Sequence, residues 1–182
     1  MSRRTIIIMA GVFLLGLALL GIGECSYDKI ESIRTMESAV TAVRADYPAV
    51  KSVSPKALRL YQTSNIPLLL VDVRGQEEYE ISRLPGALHF EKPQELIDHL
   101  LRQSVKPETI VVYGSLGFRS AEFAEKANEK ITGIENLEGG IFSWANEGLP
   151  LENAEGNRAT LVHPYNKMWG RLLEKDRRAA VE

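Results

Sequence analysis

Thr109-Ile110-Val111-Val112-Tyr113-Gly114-Ser115-Leu116-Gly117-Phe118-Arg119-Ser120-Ala121-Glu122-Phe123-Ala124 is the stretch on which the fold turns. Its first five residues are β-branched or aromatic and read as a short buried strand, Gly114 to Phe118 turn, and a helix opens at Arg119. Phe123, Ala127 and Ile131 fall on one side of that helix, residues 119–131. A strand that passes through a tight loop into a helix gathers successive N–H groups, here those of Ser115 to Arg119, at the positive end of the helix. Such a nest favours a bound anion or a thiolate.

Outward from this stretch, strand and helix signals alternate, which predicts an α/β fold with a central parallel sheet and helices on both faces. Residues 50–53 are a candidate first strand. Ser54-Pro55 supplies an N-cap and a Pro at N1 for a helix through Tyr61. Residues 68–73 form an apolar run broken only by Asp72, as in a strand buried on both sides. Residues 93–103 place Leu96, Leu100 and Leu101 on one helical side, and 134–137 is a last short strand before Gly139-Gly140. Asp72, at the carboxyl end of a parallel strand, either lines a ligand crevice or caps the next turn. Arg74 and Glu78 stand four apart, so on a helical turn they form an exposed ion pair that supports the loop. His89, His99 and His163 are far apart in the chain.

Asp72-Val73-Arg74, Glu78-Tyr79 and Pro85-Gly86-Ala87 upstream, with Gly139-Gly140-Ile141-Phe142-Ser143-Trp144 downstream, make residues 49–151 resemble a single rhodanese domain. The resemblance implies a rhodanese-like fold. In that family the active loop reads Cys-x-x-Gly-x-Arg, and the matching stretch here is Gly114-Ser115-Leu116-Gly117-Phe118-Arg119. The persulfide-carrying position therefore falls on Gly114, which can supply backbone but no sulfur. The family's Gly-His-Ile before Pro-Gly is Ser82-Arg83-Leu84 in this chain. Ser115 and Ser120 have no recognisable His or Lys base beside them and read as loop and cap hydrogen bonders. The resemblance thus implies no catalytic residue, an anion-binding loop of Gly114, Ser115, Leu116, Gly117, Phe118 and Arg119, and Asp72, Arg74 and Glu78 as its support. The expected role is binding of a small oxyanion or a protein partner. The alternative is a sulfurtransferase whose thiol comes from a partner or from Cys25.

The 182 residues suffice for one such domain, 49–153, with appendages. A net charge of −2 provides no field for nucleic acid, and with no zinc-like Cys/His spacing neither metal nor cofactor is expected. Arg3-Arg4 precede an uncharged apolar run, residues 5–23, that as a helix would span roughly 28 Å. It is either a signal peptide, with Gly21 and Gly23 before a cleavage point at Glu24, or a membrane anchor. Both readings place the domain outside the cytoplasm, in a bacterial-type periplasm or at the cell membrane. Residues 24–48 are expected to be a helical linker, with Ile30, Ile33, Met36, Val40 and Val43 on one face over 27–47 and Pro48 ending it. Residues 154–182 form a partly helical tail in which Met168, Trp169, Leu172 and Leu173 lie beside Lys167, Arg171 and Lys175. Docking of both appendages on the domain is the expectation, the alternatives being a stalk or self-association surface for the first and contact with an anionic membrane or a partner for the second.

Overall fold

The computed structural model describes residues 32–64 and 66–181, and the expected signal or anchor at 5–23 lies outside them. Among the described residues no helix is long and apolar enough to cross a membrane. Five strands form one all-parallel sheet, β1 (Ser52–Val53), β2 (Leu68–Asp72), β3 (Leu88–His89), β4 (Thr109–Tyr113) and β5 (Ile134–Leu137), in the order β1-β5-β4-β2-β3. Between Met36 and Asn146 six helices accompany it among the described residues: α1 (Met36–Asp46), α2 (Pro55–Thr63), α3 (Gln76–Ile81), α4 (Pro93–Arg102), α5 (Phe118–Asn128) and α6 (Gly140–Asn146).

Leu69, Val71, Ile110, Val112 and Ile134 share one sheet face with Leu96 and Leu100 of α4 and Phe123, Ala124 and Ala127 of α5. Leu70, Val111 and Tyr113 alternate with them and are also buried, so the sheet is covered on both faces, as the unbroken apolar runs require. Leu101 is the exception to the expected helical stripe. It is 69% exposed, because it lies next to Leu100 in sequence, and helix geometry turns it about 100° away.

The chain leaves β2 toward β3 and leaves β4 toward β5, on opposite sides, so the carboxyl ends of these two adjacent strands border the crevice where α/β sheets hold their ligands. Asp72 and Tyr113 are paired in register at that edge.

Within the described part of the helix expected over 27–47, Ser32 is helical, residues 33–35 interrupt, and a helix runs from Met36 to Asp46. Thr35 and Ser38 form a reciprocal cap, with the Ser38 N–H donating to Thr35 Oγ1 and the Thr35 N–H to Ser38 Oγ, each at 3.1 Å. Residues 35–182 form one compact unit, in which α1 docks on the domain through buried Ala39 and Val43 and an Arg44–Glu138 ion pair. Of the unit before it, Ser32, Ile33 and Arg34 are the described residues. After α6 come an antiparallel pair, β6 (Leu151–Glu152) and β7 (Arg158–Ala159), and a tail with two 3-10 turns, Trp169–Leu172 and Lys175–Arg177. The tail docks through fully buried Val162 and Leu173.

Candidate functional site

The loop from β4 into α5 is built by disposing of its carbonyls. The first turn of α6 donates to two of them, Ile141 N–H to Gly114 O at 3.0 Å and Phe142 N–H to Ser115 O at 3.1 Å. Gly117 O accepts from Ala121 N–H at 2.9 Å, from Asn136 Nδ2 at 3.1 Å and from the Ser120 hydroxyl at 3.2 Å. This close approach demands glycine at 140, where φ is +54° and a Cβ would stand 2.3 Å from Gly114 O. Gly117, with φ +105°, makes the turn into the helix.

The N–H groups are left over. No acceptor among the described residues takes the N–H of Ser115, Leu116, Gly117, Phe118, Arg119 or Ser120, whereas the next one, Ala121, is bonded. Three of the six belong to the first turn of a helix and are free by construction; the three before them are free because the loop has turned its carbonyls into α6 and Asn136. Ser115, Leu116, Gly117 and Ser120 are buried. Gly114 is buried as well, yet a Cβ built on it would meet only ordinary contacts, Ser120 Oγ at 3.5 Å, Ser120 N at 3.6 Å and Arg119 Cβ at 3.7 Å. Room for a Cβ at the head of the loop is therefore intact, directly over the start of α5.

The supporting side chains pair differently from the expected Arg74–Glu78 bridge. Arg74 turns back to Asp72 in a two-pronged ion pair, Nε to Oδ1 at 2.9 Å and Nη2 to Oδ2 at 2.6 Å, with both side chains fully buried. Asp72 also takes the Arg74 N–H at 3.0 Å, so it caps the turn rather than lining the crevice. Arg74 Nη2 continues to Ser82 O at 2.6 Å. Burial opposes the charge on Arg74, but Asp72, by charge and by hydrogen bonds, overcomes it and holds the guanidinium above its ordinary pKa. The neighbouring Tyr113 phenol is pushed well up, first by burial and then by the Asp72 charge, and accepts the Leu84 N–H at 3.0 Å.

Glu78, freed from Arg74, crosses to the loop. Its Oε1 accepts from the Ser115 hydroxyl and from Arg119 Nη2, each at 2.8 Å, and Arg119 Nη2 also reaches Ser115 Oγ at 2.8 Å. Burial raises the Glu78 pKa, and the hydrogen bond and charge of Arg119, the Ser115 hydroxyl and the charge of Arg74 together outweigh it, leaving the carboxyl below the usual range. The sequence spacing of Arg74 and Glu78 suggested a local pair; the helix begins too late, at Gln76, for Arg74 to share its face.

Ser115 and Ser120 serve as hydrogen bonders, as expected, with no His or Lys beside them; the group that takes the Ser115 hydroxyl is the Glu78 carboxylate, and the Ser120 hydroxyl donates to Gly117 O. His89 stacks on Tyr79 at 4.5 Å with its Nε2 2.6 Å from Arg74 O, while His99 and His163 sit elsewhere. Trp144 is fully buried and donates to Pro150 O at 2.7 Å, a core role. Asn136, which sequence reasoning passed over, was readable only as a polar residue in the middle of a buried strand. Tyr165 and Trp169 were also missed as site neighbours; they reach Arg119 and Phe118 from the tail. Among the described residues no group of three His, Cys, Asp or Glu side chains is placed to hold a metal. A groove of about 250 Å³ beside Arg119 carries Glu91, Glu122 and Lys126, charges of both signs that select no anion.

Against known proteins, a family model described as rhodanese-like domain matches residues 54–147. A protein named sulfurtransferase from Allochromatium vinosum is 34% identical over 99 residues, covering 54% of this chain and 89% of that protein. The "Probable adenylyltransferase/sulfurtransferase MoeZ" of Mycobacterium tuberculosis is 32% identical over 102 residues, 54% of this chain but 26% of the relative. Among solved structures, thiosulfate sulfurtransferase from Pseudomonas aeruginosa superposes with a TM-score of 0.52 at 20% identity, over 68% of this chain and 25% of that one, a likeness of fold alone.

Proposed function

Because the chain belongs to the rhodanese-like domain family and begins its loop with a glycine, we propose that it is a catalytically silent member that binds a small oxyanion, free or presented by a partner protein. The observation that carries this reading is the set of six consecutive N–H groups, Ser115 to Ser120, without acceptors among the described residues, beside the engaged carbonyls of Gly114, Ser115 and Gly117. An oxyanion satisfies such donors in a buried setting where leaving them unmade is costly, about 1–3 kcal/mol per group. The donors belong to the backbone, so they do not depend on a thiol at Gly114. Silence follows from chemistry: sulfur transfer through an enzyme persulfide needs a thiolate at the nest, and the chain's one cysteine, Cys25, is 89 positions before Gly114.

A second reading uses the space at Gly114. A partner's thiolate could occupy the room above Ser120 N, which would make the chain an accessory to sulfur transfer rather than its catalyst. One experiment separates the three cases. With thiosulfate and cyanide, the full chain is expected to form no thiocyanate above a Cys25→Ala control, while calorimetry at low salt detects thiosulfate or sulfate binding. Turnover by the chain alone overturns silence, and absence of binding at millimolar anion removes the oxyanion reading in favour of a partner's thiol.

A further inference from the structure

We propose that Tyr165 is a positioning residue of the loop site: its ring pins the Arg119 guanidinium, and residues 163–172 that carry it form a strap across the mouth of the loop. The inference rests on the anion-cradle reading above and names what fixes the cradle's only charged member. The strap lies beyond residues 54–147, so it is an addition of this chain to the matched domain.

The segment is fastened at both ends and bare between them. At one end Val162, fully buried, donates to Arg177 O at 2.7 Å and accepts from the Ala179 N–H at 3.0 Å. At the other, Asn146 of α6 clamps the backbone, its Nδ2 donating to Leu172 O at 2.8 Å and its Oδ1 accepting from the Glu174 N–H at 2.9 Å, next to buried Leu173. Between these anchors Tyr165, Asn166, Lys167 and Met168 are exposed. Two rings then touch down on the first two residues of α5. The Arg119 guanidinium lies 4.7 Å from the Tyr165 centroid, and Trp169 sits 6.4 Å from Phe118 at 30°.

Tyr165 reaches Arg119 from a strained backbone. Its φ of 62° is the one positive value outside glycine among the described residues, a conformation that persists where surrounding contacts over-determine it. Core burial cannot be that contact, since Tyr165 is 46% exposed. What remains is the Asn166 N–H donated to Pro164 O at 2.7 Å, which closes a tight turn on Tyr165, the Tyr165 N–H donated to His163 Nδ1 at 3.0 Å, and the stack on Arg119 into which that turn delivers the ring. Arg119 is thereby held from two directions, edge-on by Glu78 and Ser115 and face-on by Tyr165. Its Cβ borders the space above Gly114, so where its charge rests sets the field felt there.

A thiol placed at that point reads the field. In a Cys25→Ala background, Gly114→Cys is titrated through the pH dependence of its alkylation by iodoacetamide, and a bulky maleimide reports access. The thiol is expected to titrate clearly below the free value of about 8.5. Adding Tyr165→Ala should raise it by about half a pH unit, the size of a cation–π contact at a partly exposed site, and speed the maleimide several-fold more than iodoacetamide. Tyr165→Phe should leave both unchanged, and Tyr165→Gly, which also relaxes the backbone, should act like the Ala variant. A single-variant thiol already at the free value overturns the cradle and this inference with it. A depressed thiol that ignores loss of the Tyr165 ring overturns the role of Tyr165 alone.

Discussion

Two strand ends lie side by side at the carboxyl edge of the sheet and solve the same problem in opposite ways. β2 and β4 pair in register to their last residues, Asp72 opposite Tyr113, and each must pass into a turn inside the protein. The β2 corner closes itself with charged side chains, Asp72 and Arg74 answering one another and Ser82 O at full burial. The β4 corner has no ion pair of its own and turns the Gly114, Ser115 and Gly117 carbonyls into α6 and the Asn136 and Ser120 side chains, while its N–H groups find no acceptor among the described residues. A corner whose buried charges answer one another is scaffold, even with Arg74 Nη1 and the Ser82 hydroxyl left without partners among the described residues, and a run of unpaired N–H groups next to it is where a ligand is worth having. Glu78 ties the two, since it feels the Arg74 charge while bonding Ser115 and Arg119.

The comparison breaks most violently at the closed corner. Asp72→Asn leaves the fully buried Arg74 guanidinium without its counter-charge and should cost about 3–5 kcal/mol in denaturant unfolding, much of the stability of a domain this size. Replacing both members with Asp72→Leu and Arg74→Met should recover most of that loss, because the penalty comes from the stranded charge rather than from the missing attraction. If Asp72→Asn costs under 1 kcal/mol, about the worth of a surface pair, the β2 corner is not the closed scaffold described here.

At the open corner two glycines answer differently. Gly140→Ala drives a Cβ to 2.3 Å from Gly114 O and 2.7 Å from Ser115 O with φ at +54°, and should cost about 2–4 kcal/mol through left-handed strain and overpacking. It should also abolish anion binding, because the loop carbonyls lose the α6 donors that turn them away. Gly114→Ala meets nothing nearer than 3.5 Å and should stay within about 0.5 kcal/mol of the parent. Equal costs for the two would mean that α6 does not shape the loop.

How much of this could be read in advance divides along the same line. The β4–loop–α5 stretch was legible because its strand, glycines and helix signals are all local: β4 and β5 fall on the predicted residues, and α5 begins one residue earlier than expected. The Ser54 cap and Pro55 start of α2 were equally plain, with Ser54 Oγ accepting the Ala57 N–H at 3.2 Å. Partners were not legible. Glu78 takes Arg119, 41 residues on, over Arg74 at four, and no spacing rule reports a choice that burial and helix onset decide. Tyr165 and Trp169 come from a tail whose apolar and basic residues suggested docking but not a destination.

The smallest effect tests the link between the corners. Glu78 has a folded pKa below its unfolded one, so the stability it contributes is complete above the ordinary carboxyl value of about 4.3 and is lost as pH falls through the depressed value. Glu78→Gln keeps the shape and the contact to Ser115 but removes the charge facing Arg119 and the Oε2 acceptor of the Gly75 N–H. Arg119 is 36% exposed along its side chain, so solvent screens the pair, and the change from a charged to a neutral hydrogen bond should cost about 1 kcal/mol at pH 7. Urea midpoints of parent and variant should then converge as pH drops below about 4.3 and coincide once Glu78 is protonated in both states. A gap that stays constant down to that limit would mean the loss is one of packing, and the two strand ends would be independent rather than joined by this carboxylate.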